Sequence, residues 1–313
     1  MKITSPPFFI VGVPRSGTSL LAIILNNSSL VGIPPETHYF DYFYRKCKSL
    51  NNVKKFNVLF SKYLHSEHLK SFNFINEDKE FLLRKRDKSE LSHANILEEL
   101  CLIYIKKNKK KMWGEKTPSH AENIDLLLNF YNDAKIVHII RDPRDVILSL
   151  NNVSWGKGGL ISKINLWMRY IQISNNNRLN NKNYYEIKYE DLLTKPLDTI
   201  MGVCKFLKVP FENSMLDYYK AQNQNFNVEK EPWKIKTLEK IDSSNYNKWK
   251  NNMKPAQISL IQNLLNDEIL NHGYELESDK VKSDLHIYYF CLLVIDKILI
   301  IMHYIKRCIN KIF

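Results

Sequence analysis

Cysteine is scarce in this chain. Five occur among 313 residues (Cys47, Cys101, Cys204, Cys291 and Cys308), odd in number and never as a C-x-x-C pair. That spacing excludes a disulfide framework and a structural zinc site, and reads as reduced thiols in or near a core. An apolar run near the start is also missing: residues 1–9 hold two prolines and one lysine, with no stretch long enough for a secretory signal. The loop that follows at Gly12 leaves no room for an N-terminal anchor, so a cytoplasmic body is expected. Acidic residues are short against basic ones, 33 to 46, for a formal charge of +13. Much of that excess is a solvated lysine surface, as in the run Lys106–Lys111, and its functional side is attraction of anionic substrates or membrane. No nucleic-acid motif occurs and the lysines are not interleaved with aromatics, so nucleic acid is not an expected partner.

What is present belongs to a folded protein. With 44% hydrophobic and 12% aromatic residues, the chain is not a disordered, collagen-like or coiled-coil one. Phe8–Val11 is a short continuous apolar run, suited to a strand buried on both faces of a parallel sheet. It leads through a glycine-bearing loop into an apolar helix at Leu20–Leu25. Ala134–Ile140 reads as a second such strand, turning at Arg141-Asp-Pro-Arg-Asp145 into a helix from Val146. Tyr184–Tyr189 is a third strand, with helices expected at Ile96–Ile105, Ala121–Tyr131 and Thr199–Leu207. Strands alternating with helices predict an α/β fold: a P-loop-like parallel β-sheet flanked by helices. No repeat or low-complexity linker divides residues 1–280, which read as one domain.

Residues 281–313 read differently. From Leu285 the sequence is very apolar, yet Asp296 and Lys297 lie in its middle. At about 100° per residue the polar side chains share one half-circle and the aliphatic ones the other, which predicts an amphipathic C-terminal helix. Spanning a bilayer would put both charges near the hydrocarbon centre at about 2.5–3.5 kcal/mol each. Lying on a membrane surface avoids that penalty, as does docking on the body or on a second subunit in a homo-oligomer. The first arrangement would make the protein peripheral at the inner face of a membrane.

Gly12–Ser19 matches the phosphate-loop pattern G-x-x-x-x-G-K-[S/T] except that Thr18 stands where the ATP-binding version has Lys. A kinase reading thereby loses its main cation. The charge sits instead at Arg15, whose guanidinium can fork onto an oxyanion. The amides of Ser16, Gly17, Thr18 and Ser19, and the hydroxyls of Thr18 and Ser19, can donate to the same anion at a positive helix N-terminus.

The segment Gly-Val-Pro-Arg-Ser-Gly-Thr-Ser19 closely resembles the 5′-phosphosulfate-binding loop of the sulfotransferases that use 3′-phosphoadenosine-5′-phosphosulfate (PAPS). Arg141-Asp-Pro-Arg-Asp-Val-Ile-Leu-Ser149 resembles their 3′-phosphate segment, with Ser149 eight residues after Arg141. Pro34-Pro-Glu-Thr-His38, Trp113-Gly-Glu-Lys-Thr-Pro118 and Tyr189-Glu-Asp-Leu192 are similar to blocks of the branch that includes tyrosylprotein and many bacterial carbohydrate and lipid sulfotransferases. The blocks span roughly residues 8–250 in family order. Asn247-Lys248-Trp249 is similar to the late segment that closes over the donor, but Asn247 replaces a donor-contacting Ser of the tyrosylprotein branch.

The resemblance implies sulfuryl transfer from PAPS as co-substrate to a hydroxyl of a carbohydrate, lipid or other small-molecule acceptor. It places a catalytic Lys at Lys116, with Arg15, and a base at Glu36, with His38 as rival because an imidazole titrates near neutral pH. Arg15, Ser16, Gly17, Thr18, Ser19, Arg141 and Ser149 would bind the donor, and no metal is expected because cationic side chains supply the positive charge. Trp249 reads as core or as an adenine stack, and Tyr39–Tyr44 as core or as an acceptor wall. Two other readings stand beside this one: a P-loop-type nucleotide kinase, and a non-catalytic nucleotide-binding scaffold.

Overall fold

A computed structural model describes residues 6–72, 74–84, 92–156, 158–179, 181–221, 226, 229, 231–277 and 294. Five strands, β1 (Phe8–Val11), β2 (Val31–Gly32), β3 (Met112–Lys116), β4 (Lys135–Ile140) and β5 (Tyr184–Lys188), form one sheet in the order β2-β3-β1-β4-β5. Every neighbouring pair is parallel, with Ile10 beside both Lys116 and Val137. The expected α/β class is therefore what the chain adopts. β1 is central, and its four residues are wholly buried because both faces of the sheet are covered. Side chains alternate along it: Phe9 and Val11 enter the apolar cluster on one face, Phe8 and Ile10 the cluster on the other.

Two strands had no counterpart in the sequence pattern. β2 is two residues long, and β3 reads Met-Trp-Gly-Glu-Lys, which is polar at its end yet buried at all five positions. The helix expected at Ala121–Tyr131 opens as a 3₁₀ segment over Pro118–Asn123 and becomes α-helical at Ile124–Phe130. Proline at the first helical position has no N–H to donate and suits that tight start. Among the described residues no helix is long and apolar enough to cross a membrane. The amphipathic helix expected at residues 281–313 lies outside the described residues apart from Val294.

A parallel sheet puts all its carboxyl ends on one edge, and β1 and β4 are neighbours whose chains leave in opposite directions, to β2 and to β5. Such a divergence opens a crevice where ligands bind in open α/β sheets. Four of the residues singled out above follow or end a strand there: Arg15 after β1, Glu36 after β2, Lys116 at the end of β3, and Arg141 after β4.

Candidate active site

The loop after β1 is shaped by three residues with positive φ: Gly12 at 153°, Arg15 at 77° and Gly17 at 94°. A Cβ on Gly12 would lie 2.3 Å from the Ile139 carbonyl oxygen, and one on Gly17 would lie 2.3 Å from the Tyr189 ring, so both positions exclude a side chain. Arg15 accepts a conformation that ordinarily costs a non-glycine residue about 1–2 kcal/mol. Strained backbone of this kind clusters where a ligand is held. Helix α1 (Thr18–Asn26) starts at Gly17 with no side-chain cap, leaving its first-turn amides facing the crevice without an intrahelical partner. Ser16 departs from its expected role. Its amide bonds the Val13 carbonyl at 3.2 Å, and its side chain is fully buried outside the cavity lining. The fold uses that amide to close the loop, which leaves Gly17, Thr18 and Ser19 as the loop residues of the expected set that line the cavity.

The crevice is a cavity of about 390 Å³ lined by Arg15, Gly17–Leu20, Arg141, Ser149, Tyr189 and the late segment Pro232–Lys248, within the range of ligand pockets. It joins the two expected anion sites into one. Arg15 Nε donates to Ser149 Oγ at 3.1 Å, and Arg141 donates to the Arg15 carbonyl at 3.0 Å and the Asn245 carbonyl at 3.3 Å. The Arg141 guanidinium lies over the Tyr189 ring at 4.4 Å and 3.4 Å from Asp145, while its buried Nε has no hydrogen-bond partner. Among the described residues, Arg15, Arg141, Lys234, Lys236, Lys240 and Lys248 face the cavity against Asp145, Glu239 and Asp242. Burial, with the nearby Arg141 charge, lowers the Arg15 pKa, and burial with the neighbouring Lys236 lowers that of Lys248. Crowded cations of this sort are relieved by a polyanion.

Arg144 and Trp249 are structural. Arg144 is buried on both Asp142 oxygens and Gln262, and the Trp249 ring packs 3.7 Å from its guanidinium, away from the cavity. Tyr39, Phe40 and Phe43 are likewise core, whereas Tyr42 is exposed.

Beyond Ser19 lies a second group of charges. Lys116 Nζ donates to Ser19 Oγ at 3.1 Å and pairs with Glu36, whose Oε1 also takes Lys234 Nζ at 3.1 Å. Glu36 Oε2 stands 3.2 Å from His38 Nε2, and His38 Nδ1 faces Asp41 at 3.7 Å. Burial alone would raise the Glu36 pKa, but the two ammonium groups and His38 hold it well below the usual carboxylate range. His38 is pushed by its two carboxylates, against burial, to about 9. Burial outweighs Glu36 at Lys116 and lowers its pKa; at Lys234 the carboxylates of Glu36 and Glu231 win and raise it. Lys234 was not singled out in the sequence, since one lysine in a 3₁₀ segment of a lysine-rich chain carries no local signal. It lines the cavity and pairs directly with Glu36.

Because His38 rises from 6.5 to about 9 on folding, its contribution to stability is complete below pH 6.5 and is lost as the pH climbs through about 9. Melting temperatures across that interval should therefore fall further for the wild-type chain than for His38→Ala; equal slopes would show that the imidazolium stabilises nothing.

Over residues 6–213 the sequence matches the family model described as the sulfotransferase family. The sulfotransferase domain from the Synechococcus PCC 7002 olefin synthase superposes with a TM-score of 0.62 at 21% identity, covering 88% of this chain and 98% of that one. The sulfotransferase domain from the curacin biosynthetic pathway gives 0.59 at 21% identity, covering 88% and 100%. At such identities the shared feature is the fold. An uncharacterized protein of Aquifex aeolicus (strain VF5) is 24% identical over 225 residues, 69% of this chain and 27% of its own length, so the chain spans about a quarter of that relative. Among the described residues no cluster of three His, Cys, Asp or Glu could hold a metal ion.

Proposed function

From the premise that this chain belongs to the sulfotransferase family, matched over residues 6–213, we propose that it transfers a sulfuryl group from PAPS to a hydroxyl of a carbohydrate, lipid or other small-molecule acceptor. The observation that carries this reading is the cation-rich cavity at the carboxyl ends of β1 and β4, one of whose lining residues, Lys234, pairs with a Glu36 carboxylate that Lys116 also holds. Arg141 and Ser149 bind the 3′-phosphate. The Gly17–Ser19 amides and hydroxyls, with Arg15, bind the 5′-phosphosulfate.

Transfer is in line: the acceptor oxygen forms a bond to sulfur while the bond from sulfur to the 5′-phosphate oxygen breaks. Negative charge then grows on the departing phosphate, and a preorganised cation stabilises that change most in a site shielded from water. Lys116, beside Ser19 at the mouth of the loop, is placed for it. Glu36 takes the hydroxyl proton. Its low pKa makes it a weak base at rest, and an incoming sulfuryl group competes for the same two ammonium groups, which raises its basicity when it is needed. His38 is not the base in this reading, because an imidazolium at neutral pH has no lone pair free to accept a proton.

Thermal unfolding with added 3′,5′-bisphosphoadenosine tests the donor site. Ligand at 100 times its Kd should stabilise the chain by about 2.7 kcal/mol, and an acceptor screen with labelled donor should then yield sulfated product. Tight binding of ATP with Mg²⁺ and none of the bisphosphate would overturn the proposal in favour of a nucleotide kinase. Bound donor left intact by every acceptor class would leave a scaffold.

A further inference from the structure

We propose that Glu115, one residue before Lys116, is a positioning residue that clasps Thr37 and so fixes where the Glu36 carboxylate sits. The inference rests on the transferase reading above and adds a role for residues that do not line its cavity. Glu115 is a carboxylate with no exposed surface, in the middle of a sheet. A buried charge persists only when it is paired and hydrogen-bonded. Its Oε1 accepts from the Thr37 amide at 3.2 Å, from Thr37 Oγ1 at 2.8 Å and from Thr117 Oγ1, and its Oε2 lies 2.8 Å from His120 Nδ1. Burial would raise its pKa, but His120 and the two threonines hold it below the usual range, so it stays ionised.

The clasp is complete on the Thr37 side too. The Thr37 carbonyl accepts from Tyr63 OH at 2.7 Å, and Thr37 Oγ1 accepts from the Tyr39 amide at 3.3 Å. Each polar group of Thr37 is thereby spent on the interior. The residues flanking it are the ones that meet in the cleft, Glu36 with the lysines and His38 with Glu36. Successive side chains of a strand leave on opposite faces, so Glu115 reaches Thr37 from one face of the sheet while Lys116 reaches Glu36 from the other. Two adjacent residues of β3 thus hold two adjacent residues of the loop after β2, and the loop cannot slide along the strand without breaking both contacts.

Thr37→Val keeps the shape and removes the hydroxyl, Thr37→Ser restores it, and Glu115→Gln keeps the acceptor while removing the charge. The first readout is the ¹³C titration of the Glu36 carboxyl, assigned with Glu36→Gln. In Thr37→Val its midpoint should move up towards the ordinary value of 4.5 as the carboxylate drifts from Lys116 and Lys234, and Thr37→Ser should return it. Glu115→Gln should move it in the same direction. The second readout is turnover: kcat should fall about tenfold to hundredfold, as expected for a misplaced reacting group, with the Kd for 3′,5′-bisphosphoadenosine unchanged. A Glu36 midpoint common to the wild type, Thr37→Val and Glu115→Gln overturns the clasp, and so does a bisphosphate affinity that falls in step with kcat. Absence of turnover in the wild type would instead sink the transferase reading, with the titration still deciding whether Thr37 holds Glu36.

Discussion

Glu36→Gln is expected to lower kcat by about 10²–10⁴-fold, the size of a general acid–base contribution, while 3′,5′-bisphosphoadenosine binds at least as tightly as to the wild type. Glutamine keeps the shape and an acceptor for Lys116 and Lys234 but cannot take a proton. The two ammonium groups, both buried, lose their internal counter-charge and turn to the incoming anion instead. Alanine is a poorer probe, because stripping one partner from a buried ion pair costs about 3–5 kcal/mol and confuses folding with chemistry. Single-turnover rates with labelled donor, alongside calorimetric binding of the bisphosphate, separate the two effects. Turnover within threefold of wild type would remove Glu36 from the mechanism.

Loss of both cavity arginines should have the largest effect on binding. At about 1.5–3 kcal/mol for each hydrogen-bonding interaction with a charged group, Arg15→Ala combined with Arg141→Ala should weaken the bisphosphate by roughly 10²–10⁴-fold, each single variant accounting for part. The two are coupled, since Arg141 donates to the Arg15 carbonyl and the Arg15 side chain reaches Ser149, so the losses should not add. Arg141→Ala also leaves Asp145 without its guanidinium at 3.4 Å, and far-ultraviolet dichroism is needed to show that the fold survives. An affinity unchanged in the double variant would place the nucleotide elsewhere and end the donor assignment.

The apolar strands were legible because burial on both faces favours continuous hydrophobic residues, unbroken in Phe8–Val11 and interrupted in Lys135–Ile140 only by Lys135 at its start and by His138. β3 was not, because two of its five buried residues are charged. Their burial depends on partners about 80 positions away: Glu36 for Lys116, and Thr37 for Glu115. The same limit applies to single residues. Ser16 looks like its neighbours in the loop, yet the turn that seats Arg15 uses its amide internally. His38 looks like a neutral-pH base until Glu36 and Asp41 are seen on either side of it.

Local order along the chain was enough for the family and the parallel sheet, and it nominated the loop at Gly12 with Arg15, Glu36, Lys116 and Arg141, because each rests on a few contiguous residues whose backbone needs or charge are written beside one another. Folding alone chose which of 46 basic residues would share the Glu36 carboxylate. Lys234 meets it across 198 positions of sequence, through an attraction that depends on distance in space and on the water excluded between the charges, neither of which leaves a mark on neighbouring residues.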